Sequence, residues 1–417
     1  MQWDAGGRLK NKAGWRHTQH MQTAPAAHVV TLNAGSSSIK FALFAADGGE
    51  PRLRASGLVE MTGQARHFRV HDAAGAVTDE QRWSDTAPFH IDALNRVLAW
   101  RRAAFPQVTV AAAGHRVVHG GMTFDRPVEV DDAVLAELRA LVPLAPLHQP
   151  HNVAGIEAAR AAWPHVRQVA CFDTGFHRAH PFVNDVFALP RALYDEGVRR
   201  YGFHGLSYEY IARRLRELSP AHAAGRVVVA HLGNGASMCA MRDGVSVASS
   251  MGFSTLDGLP MGTRCGQLDP GVLLYLMQAK GMDAAAISDL LYKQSGLKGL
   301  SGVSHDMREL EASDKPEAAQ AIAYFVFRIR RELGGLAAVL QGLDAVVFCG
   351  GIGENAWRVR ERVLDGMEWI GIDLDHAANR ANARVISAAR SRVCAYVIPT
   401  DEEAMIARHT LEVLAAS

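Results

Sequence analysis

Three short turns rich in glycine and serine contain the residue types that bind phosphate groups in proteins. They lie at residues 35–38, 233–237 and 350–355, in the stretches "NAGSSS", "GNGAS" and "GGIGEN". Clustered backbone N–H groups and hydroxyls in such turns hold phosphate oxygens, because no bulky side chain blocks their approach. The sequence has no G-x-x-x-x-G-K-[ST] motif, which excludes a P-loop. Three phosphate-type turns in one chain favour a nucleotide-binding site that is built without a P-loop.

The third turn also fits a dinucleotide fingerprint, and this supports a competing interpretation. Gly351, Gly353 and Ala356 satisfy G-x-G-x-x-A, and Asp373 follows at about the right ~20 residues. Such a fingerprint normally opens the first βαβ unit, whereas here it lies near the end of the chain. A dinucleotide fold also has no use for the two earlier turns. We therefore interpret "GGIGEN" as an adenosine-binding loop. An NAD enzyme is the alternative, and it predicts NADH binding where we predict competition by ATP.

The first two turns are each predicted to join a pair of strands. Apolar runs at 29–32 and 39–44 flank the first turn, and runs at 227–230 and 238–241 flank the second. Two such runs joined by a short Gly/Ser turn are typical of a β-hairpin. Because each hairpin opens one half of the chain, the two halves are predicted to be related α/β domains.

The surrounding elements follow from the periodicity of the apolar residues. A strand at 346–348 leads into the third turn. Helical periodicity indicates helices at residues 91–102, 132–141, 152–163 and 316–340. Asp401 is expected to cap a final helix.

Composition limits the classes of partner. The chain has 417 residues, 48% hydrophobic and 21% charged, which is typical of a soluble globular protein with room for two domains. Its 44 basic and 43 acidic residues leave a formal net charge of +1, so we expect neither a nucleic-acid nor a membrane partner. The sequence contains no apolar run of 18 or more residues. Five isolated cysteines without a C-x-x-C pair are typical of free thiols in a reducing compartment, so we expect a cytoplasmic protein.

The beginning of the chain differs from the rest. Residues 1–28 are polar and aperiodic and lack an apolar h-region, so they do not resemble a signal peptide. We expect a disordered N-terminal extension, or a true start at Met21. A first domain is then expected over residues 29–173, joined by a C-terminal helix at about 403–417, and a second domain over residues 174–402 with the adenosine-binding loop.

Ten motifs that follow one another from Val29 to the C-terminus resemble the acetate kinase family of short-chain acyl kinases. They are "NAGSSSIK", "GHRVVHGG", "LAPLHQPHN", "FDTGFH", "RRYGFHGLSYEY", "HLGNGAS", "SMGFSTLDGLPMGTRCGQLDPG", "SGVSHDMR", "GGIGEN" and "PTDEE". The resemblance implies a two-domain actin-like α/β fold of the acetate and sugar kinase/Hsp70/actin superfamily, with a duplicated ribonuclease H-like core and a central cleft. It also implies a homodimer that transfers phosphate in line from ATP to acetate, giving acetyl phosphate and ADP.

The resemblance assigns four side chains to catalysis. Arg116 is expected to hold the acetate carboxylate and Arg264 the transferring phosphoryl group, since a guanidinium grips such anions through two N–H bonds. His204 would donate to the equatorial oxygens of the transition state. Asp173 matches the family's catalytic acid. Because the acceptor carboxylate is already ionised at neutral pH, we expect Asp173 to orient an arginine or the magnesium water shell instead of removing a proton.

The resemblance further implies Mg²⁺, with Mn²⁺ as an alternative, and ATP as co-substrate. Magnesium prefers hard oxygen ligands and keeps several waters. Asn33 and Glu402 are the implied metal residues, and the adjacent Glu403 is an alternative because the choice rests on motif register alone. The implied nucleotide residues are Ser36, Ser38, Lys40, His231, Leu232, Gly233, Asn234, Gly235, Asp306, Met307, Arg308, Gly351, Ile352, Gly353, Glu354 and Asn355.

The substrate pocket is expected to be small and apolar. Beside Arg116, the resemblance assigns it Val118, Leu147, His148, Phe203 and Thr255. Many family members have proline where this chain has Thr255, so a propionate kinase or a broader short-chain acyl kinase is an alternative. One methylene changes binding by only ~1–3 kcal/mol, so propionate should be used more weakly. A non-catalytic nucleotide switch is a remote alternative, which would not need Arg116, His204 and Arg264 together.

Overall fold

The computed structural model describes residues 27–46 and 49–416. The predicted extension lies outside the described residues, except that Ala27 and His28 already belong to the first strand and pair with Ala46 and Ala45. The strands are β1 (Ala27–Ala34), β2 (Ser38–Ala46), β3 (Arg52–Thr62), β4 (Ala65–Asp72), β5 (Val77–Ser84), β6 (Val110–Val117), β7 (Val128–Glu129), β8 (Arg167–Phe172), β9 (Arg226–Leu232), β10 (Ala236–Arg242), β11 (Val245–Ser249), β12 (Ala345–Cys349) and β13 (Cys394–Val397).

In the described part of the chain these strands form two sheets with the same inner order. The first sheet runs β5-β4-β3-β2-β1-β6-β8-β7, and the second runs β11-β10-β9-β12-β13. In each sheet the central strand, β1 or β9, is antiparallel to its hairpin partner and parallel to the crossover strand on its other side. Strands β3-β2-β1-β6-β8 therefore correspond one for one to β11-β10-β9-β12-β13, which confirms the predicted duplicated α/β fold.

This topology explains why the site residues meet. The turns after β1 and β9, and the segments after β6, β8, β12 and β13, all lie at the carboxyl ends of parallel strands. Ligands of open α/β sheets bind in the crevice outside those ends. Both predicted hairpins are present, with Ala34 paired to Ile39 in one and Leu232 paired to Ala236 in the other.

Helices cover the sheets and connect the strands. They are α1 (Phe89–Ala104), α2 (Asp132–Ala140), α3 (Gln149–Ala162), α4 (Phe182–Asp185), α5 (Arg191–Asp195), α6 (Gly205–Leu218), α7 (Pro220–Ala223), α8 (Pro270–Lys280), α9 (Ala284–Lys293), α10 (Gly296–Ser301), α11 (Met307–Glu311), α12 (Pro316–Leu340), α13 (Gly350–Asn355), α14 (Trp357–Leu364), α15 (His376–Arg380) and α16 (Glu402–Ala416). The four helices predicted from periodicity are confirmed as α1, α2, α3 and α12. None of the described helices is both long and apolar enough to cross a membrane.

The cores lie between these helices and the sheets. Phe325, Ile329 and Leu333 of α12 recur at helical spacing and are buried in the cluster that contains the strands of the second sheet. The final helix, α16, packs instead on the first sheet, where Ala407 joins Val29. Asp401 caps this helix as predicted, because its carboxylate accepts from the Ala404 N–H at 2.8 Å. The domain limits stay a prediction, but the C-terminal helix does return to the first sheet.

Candidate active site

A cavity of about 580 Å³ lies between the two sheets, at the carboxyl ends of their parallel strands. Most of the residues assigned from the sequence line it. They are Asn33, Ser36, Ser38, Lys40, Arg116, Val118, Leu147, His148, Asp173, Phe203, His204, His231, Gly233, Asn234, Gly235, Thr255, Arg264, Gly351, Glu354 and Glu402. Segments up to 370 residues apart in the chain therefore converge on one space.

A second cavity of about 420 Å³ adjoins the first and shares Gly233, Asn234 and Gly351 with it. The assigned residues that line it are Asp306, Met307, Arg308, Ile352 and Asn355. Leu232 and Gly353, by contrast, line neither cavity and are buried behind the turns. Their assignment as nucleotide contacts therefore finds no support in their positions.

Arg116 is held by two carboxylates. Its Nε and Nη2 atoms donate to Asp173 Oδ1 and Oδ2 at 3.0 and 2.8 Å, and its Nη1 donates to Glu402 Oε2 at 2.7 Å. Burial opposes ionisation of Glu402, but Arg116, His231 and Lys40 together outweigh it and lower the pKa of this carboxyl group. Burial raises the pKa of Asp173, against the effect of Arg116. The bidentate contact gives Asp173 the geometry of a residue that orients an arginine.

Arg264 lies in the same cavity without such a partner. Its Nη1 donates to the Thr255 carbonyl oxygen at 2.9 Å, and no carboxylate of the described residues forms an ion pair with it. Burial, together with the charge of Arg116, lowers the pKa of Arg264 to about 10, so it remains a cation at neutral pH. A partly buried cation without an anion is suited to receive one from a ligand.

His204 itself has an unusual backbone conformation. Its φ and ψ of 59° and 24° lie in the left-handed region, which is uncommon for a residue with a Cβ. The next residue, Gly205, donates its N–H to the Asp173 carbonyl oxygen at 2.9 Å, and a Cβ at Gly205 would lie 2.2 Å from that oxygen. His177 stabilises this turn, because its Nε2 forms a hydrogen bond with the Phe203 carbonyl oxygen at 3.0 Å. The strained turn thus brings His204 beside Asp173.

Two imidazole rings stack in the cavity wall. The rings of His204 and His231 lie 4.3 Å apart with 19° between their planes. Burial lowers the pKa of both imidazoles, and the nearby Arg116 cation lowers it further because it would repel a protonated ring. The Nδ1 atom of His231 lies in a hydrogen bond with Ser207 Oγ at 2.8 Å. Both rings are therefore neutral at pH 7 and are held in fixed planes.

The apolar end of the cavity is formed by Val118, Phe203 and Thr255, which are buried, and by Leu147. His148 lies at the same end, and burial, with Arg264 and Arg116 nearby, lowers its pKa to about 4. A neutral imidazole, three apolar side chains and one threonine make a small pocket with little polarity.

Two further polar lining residues, Asn152 and Thr400, had no role assigned from the sequence. Asn152 on α3 donates to the Ala34 carbonyl oxygen at 2.9 Å and accepts from the Val118 N–H at 3.0 Å, so it ties the first phosphate turn to the apolar pocket. Thr400 donates its N–H to Glu354 Oε1 at 3.2 Å, and Gly350 donates to the same oxygen at 2.8 Å. The spacing of residues in the sequence does not reveal these hydrogen bonds, because outside α13 their partners lie 34 to 118 residues apart.

The donors suited to magnesium are Asn33 on β1 and Glu402 at the start of α16, which line the cavity together with Glu403. No group of three or more His, Cys, Asp or Glu side chains suited to a metal occurs among the residues that the structure describes. One carboxylate, one amide oxygen and the phosphates of a nucleotide fit an ion that keeps much of its water. Burial and the neighbouring Glu402 raise the pKa of Glu403, so Glu402 is the better anionic donor.

The repeated sheets and the phosphate turns between them define a two-domain, actin-like class of nucleotide-binding enzyme. The model of the Acetokinase family matches residues 28–408, and the chain belongs to this family. An acetate kinase of Methylocella silvestris is 71% identical over 394 residues, which cover 93% of this chain and 98% of the relative.

Solved structures of short-chain acyl kinases have the same fold as this chain. A crystal structure of Porphyromonas gingivalis acetate kinase matches with a TM-score of 0.84 and 38% identity, over 93% of this chain and 100% of the other. A propionate kinase from Francisella tularensis matches with a TM-score of 0.85 and 33% identity, over 92% of this chain and 98% of the other.

Asp373, the acidic residue of the dinucleotide fingerprint, forms an ion pair with Arg390 and lines neither cavity. The NAD interpretation of the third turn is therefore wrong.

Proposed function

We propose that this protein is an acetate kinase, which transfers a phosphoryl group reversibly from ATP to acetate to give acetyl phosphate and ADP. One observation carries the proposal. The cation of Arg264 has no anionic partner among the described residues, and it lies beside the His204 ring at the turn of Gly235. A transferring phosphoryl group is the ligand that this arrangement fits best.

The acceptor needs no general base. Acetate is ionised at neutral pH, so its oxygen attacks the γ-phosphorus without losing a proton. Asp173 has both oxygens on Arg116, and it is therefore a positioning residue for that guanidinium. Arg116 keeps further N–H bonds on Nη1 and Nη2, which we assign to the acetate carboxylate.

The chain's own groups offset the negative charge that accumulates in the transition state. Arg264 and the Nε2 side of His204 flank the turn of Gly235, and both are donors toward the equatorial oxygens. The first hairpin adds Ser36, Ser38 and Lys40 from the other sheet. Holding acetate on one domain and the nucleotide on the other aligns acceptor and leaving group for in-line transfer.

Magnesium completes the proposed site. Glu402 and Asn33 would hold the ion, with Mn²⁺ as an alternative, and the ion would neutralise charge on the nucleotide phosphates. Glu402 also bonds to Arg116, so it would connect the metal to the residue that holds acetate.

Acetate fits the apolar pocket better than longer acids. Relatives that are 71% and 53% identical to this chain are named acetate kinase, and the pocket is lined by the buried residues Val118, Phe203 and Thr255. We therefore do not favour a propionate kinase, although the fold alone does not distinguish the two, since a propionate kinase matches it as well. Propionate should be a weaker substrate.

The test is formation of acyl phosphate, trapped as the hydroxamate, with ATP, Mg²⁺ and acetate, propionate or butyrate in parallel. We expect kcat/KM to be highest for acetate and to fall with each added methylene. A chain that binds ATP but forms no acyl phosphate with any acid would overturn the proposal and favour a nucleotide switch. Equal or better use of propionate would retain the chemistry and reassign the substrate, with Thr255 as the residue to exchange.

We also infer a homodimer, because helix α8 has an apolar surface that none of the described residues covers. None of its residues is buried, and Leu274 and Tyr275 are 54% and 53% exposed. Phe327 on α12 is 58% exposed, and its neighbour Arg328 donates to Gln267 at 2.9 Å, just before α8. Monomers rarely expose such adjoining apolar surface.

Light scattering after gel filtration tests the dimer. The wild type should have twice the chain mass of 45.1 kDa, and Leu274→Glu combined with Phe327→Glu should give the mass of one chain. Val183→Glu is the matched control, since Val183 is also exposed but lies elsewhere, on α4. A wild type of single-chain mass would contradict the inference.

A cytoplasmic location is inferred from the thiols. Cys171, Cys239, Cys265, Cys349 and Cys394 are all unpaired. Unpaired cysteines are typical of proteins in reducing compartments. Fractionation of cells that express the full chain would test this, and recovery outside the cytoplasm would contradict it.

A further inference from the structure

Behind the ring of His204 lies a chain of buried hydroxyl groups. The Nδ1 atom of His204 lies 2.8 Å from Ser237 Oγ on β10, and this oxygen lies 2.5 Å from the hydroxyl oxygen of Tyr208 on α6. Both Ser237 and Tyr208 are 0% exposed. Neither residue lines the cavity, so neither can touch a substrate.

The direction of these hydrogen bonds follows from the proton of Tyr208. Burial raises the pKa of Tyr208 well above its ordinary value, so the phenol keeps its proton. Among the described residues Ser237 Oγ is the acceptor within its reach. A buried O–H without an acceptor is unfavourable, so Tyr208 donates to Ser237.

Ser237 then has its own proton left to give. A hydroxyl has one O–H, and with Tyr208 donating to the oxygen, that proton goes to Nδ1 of His204. A neutral imidazole that accepts at Nδ1 carries its proton on Nε2. In the opposite order, with Nδ1 donating to Ser237 and Ser237 donating to Tyr208, the proton of Tyr208 would have no acceptor.

The Nε2 atom points to the place where phosphate is expected. A methyl group at Gly235 would lie 3.1 Å from Nε2 of His204 and 3.0 Å from Nη2 of Arg264. The two donors therefore converge on the turn of the second phosphate hairpin. The stacked ring of His231, 4.3 Å away, holds the plane in which Nε2 points.

We infer that Tyr208 and Ser237 form a hydrogen-bond relay that holds His204 as the Nε2–H tautomer, ready to donate to the transferring phosphoryl group. Tyr208 and Ser237 are positioning residues, since they act only through His204. This inference rests on the proposed function for the identity of the anion, but the tautomer itself does not depend on turnover.

The first test is the nitrogen spectrum of the ring in the intact protein. The chain is labelled with ¹⁵N-histidine, and the signals of His204 are assigned by their loss in His204→Gln. We expect a protonated Nε2 and an unprotonated Nδ1 at pH 7 in the wild type, and a mixture of tautomers in Ser237→Ala. A wild-type ring protonated on Nδ1, or on both nitrogens, would overturn the relay even if the enzyme were active.

The second test is kinetic. Ser237→Ala should lower kcat about ten-fold, the rate equivalent of roughly one hydrogen bond, while KM for ATP and for acetate stays within about two-fold. Tyr208→Phe should lower kcat less, because Ser237 still has a proton to give. The matched control is Tyr201→Phe, which removes another buried phenol, bonded at 2.8 Å to the Gly197 carbonyl oxygen, and should leave kcat unchanged.

The outcomes separate the two proposals. Wild-type kcat and a wild-type tautomer in Ser237→Ala would overturn the relay and leave the kinase intact. Absence of acyl phosphate formation by the wild type would overturn the proposed function, whereas the spectrum would still report the tautomer.

Discussion

Arg116 and Arg264 bring the same charge into the same cavity, but their surroundings differ. Arg116 bonds to Asp173 and Glu402, whereas Arg264 bonds to a carbonyl oxygen only. Removing a cation that neutralises buried carboxylates leaves their charge uncompensated. Removing a cation that has no anionic partner leaves no uncompensated charge behind. The two arginines should therefore differ in stability effects even if both are essential for activity.

Arg264→Ala should abolish most activity without loss of stability. The variant loses a donor to the transition state, for which a fall in kcat of roughly 10²–10³-fold is expected. Because the Arg264 cation is desolvated without a carboxylate partner, its removal should leave the free energy of unfolding unchanged or higher. Hydroxamate kinetics and urea denaturation measure the two quantities. Normal turnover of acetate by this variant would disprove the role of Arg264.

Arg116→Met should lower both activity and stability. The side chain of Asp173 is only 2% exposed, so breaking the pair should cost about 3–5 kcal/mol in the free energy of unfolding. The matched control combines Arg116→Met with Asp173→Asn and Glu402→Gln, which removes the charges as well. This control should regain most of the stability and none of the activity. Equal stability of Arg116→Met and the wild type would contradict the ion-pair interpretation.

At this scale the sequence identifies residue types at the site better than it identifies contacts. The motifs point to Arg116, Asp173 and Arg264, and all three line the cavity. No local sequence pattern indicates that both carboxylate oxygens of Asp173 accept hydrogen bonds from Arg116. Nor does one indicate that Asn152 donates to the carbonyl oxygen of Ala34, 118 residues away. Such contacts depend on how distant segments pack, and that information is spread over the whole chain.

At the scale of the element, the second phosphate turn leaves space for a ligand at Gly235. A Cβ at Gly235 would occupy the space between Arg264 and His204, at 3.0 and 3.1 Å from their nitrogens. Gly235 does not have a positive φ, so its backbone conformation is open to alanine. The glycine is therefore needed for the approach of a ligand rather than for the turn itself.

Gly235→Ala should consequently lose activity and keep its fold. The added methyl group should displace the phosphoryl group from both donors, so kcat/KM should fall by roughly 10²-fold or more. Thermal unfolding should stay close to that of the wild type. Gly49→Ala serves as the control, because Gly49 is exposed and an added Cβ there meets nothing within 4 Å. Comparable activity of the two variants would refute this role of the turn.

Long elements with a regular apolar period were the most predictable ones. The predicted helix at 316–340 agrees with α12 at both ends, whereas periodicity does not predict α8–α11. Helices α10 and α11 are only 6 and 5 residues long, whereas α8 has no buried residue and α9 has one, so α8 and α9 lack a buried apolar stripe. Aspartate N-caps at Asp269, Asp283 and Asp306 do precede three of them and were an available signal. Strand β5, "VTDEQRWS", is polar on both faces and exposed along much of its length, so alternation of apolar residues could not reveal it.

At the scale of the whole molecule, many of the described histidines are buried and form no ion pair. Burial lowers the pKa of nine described histidines. For five of these the pKa falls to about 4 (His115, His119, His148 and His180) or to about 3 (His177). His409 is the exception, since Cys171 and Glu209 outweigh its burial and raise its pKa to about 10. The neutral form of the five is therefore part of the folded state.

The folded protein should lose stability in mild acid. The folded-state pKa of each of the five lies below the unfolded value of 6.5, so the unfolded chain binds more protons as the pH falls from 6.5 towards 4. Each contributes up to ~1.4 kcal/mol per pH unit in that window. The contribution of His409 has the opposite sign, being present below 6.5 and lost as the pH rises towards 10. Urea denaturation at pH 7, 6 and 5 should show a steep fall.

One buried histidine outside the cavity allows the cause to be isolated. His115 on β6 bonds to Gln168 at 2.8 Å and does not line the site, so His115→Gln removes one titrating ring and can keep a hydrogen bond to the same partner. Whatever its effect at pH 7, the variant should lose less stability per pH unit than the wild type, by the equivalent of about one proton. Identical slopes for the two proteins would mean that the acid sensitivity arises elsewhere. A flat wild-type profile from pH 6.5 to 4.5 would mean that the buried histidines take up protons in the folded state as readily as in the unfolded chain.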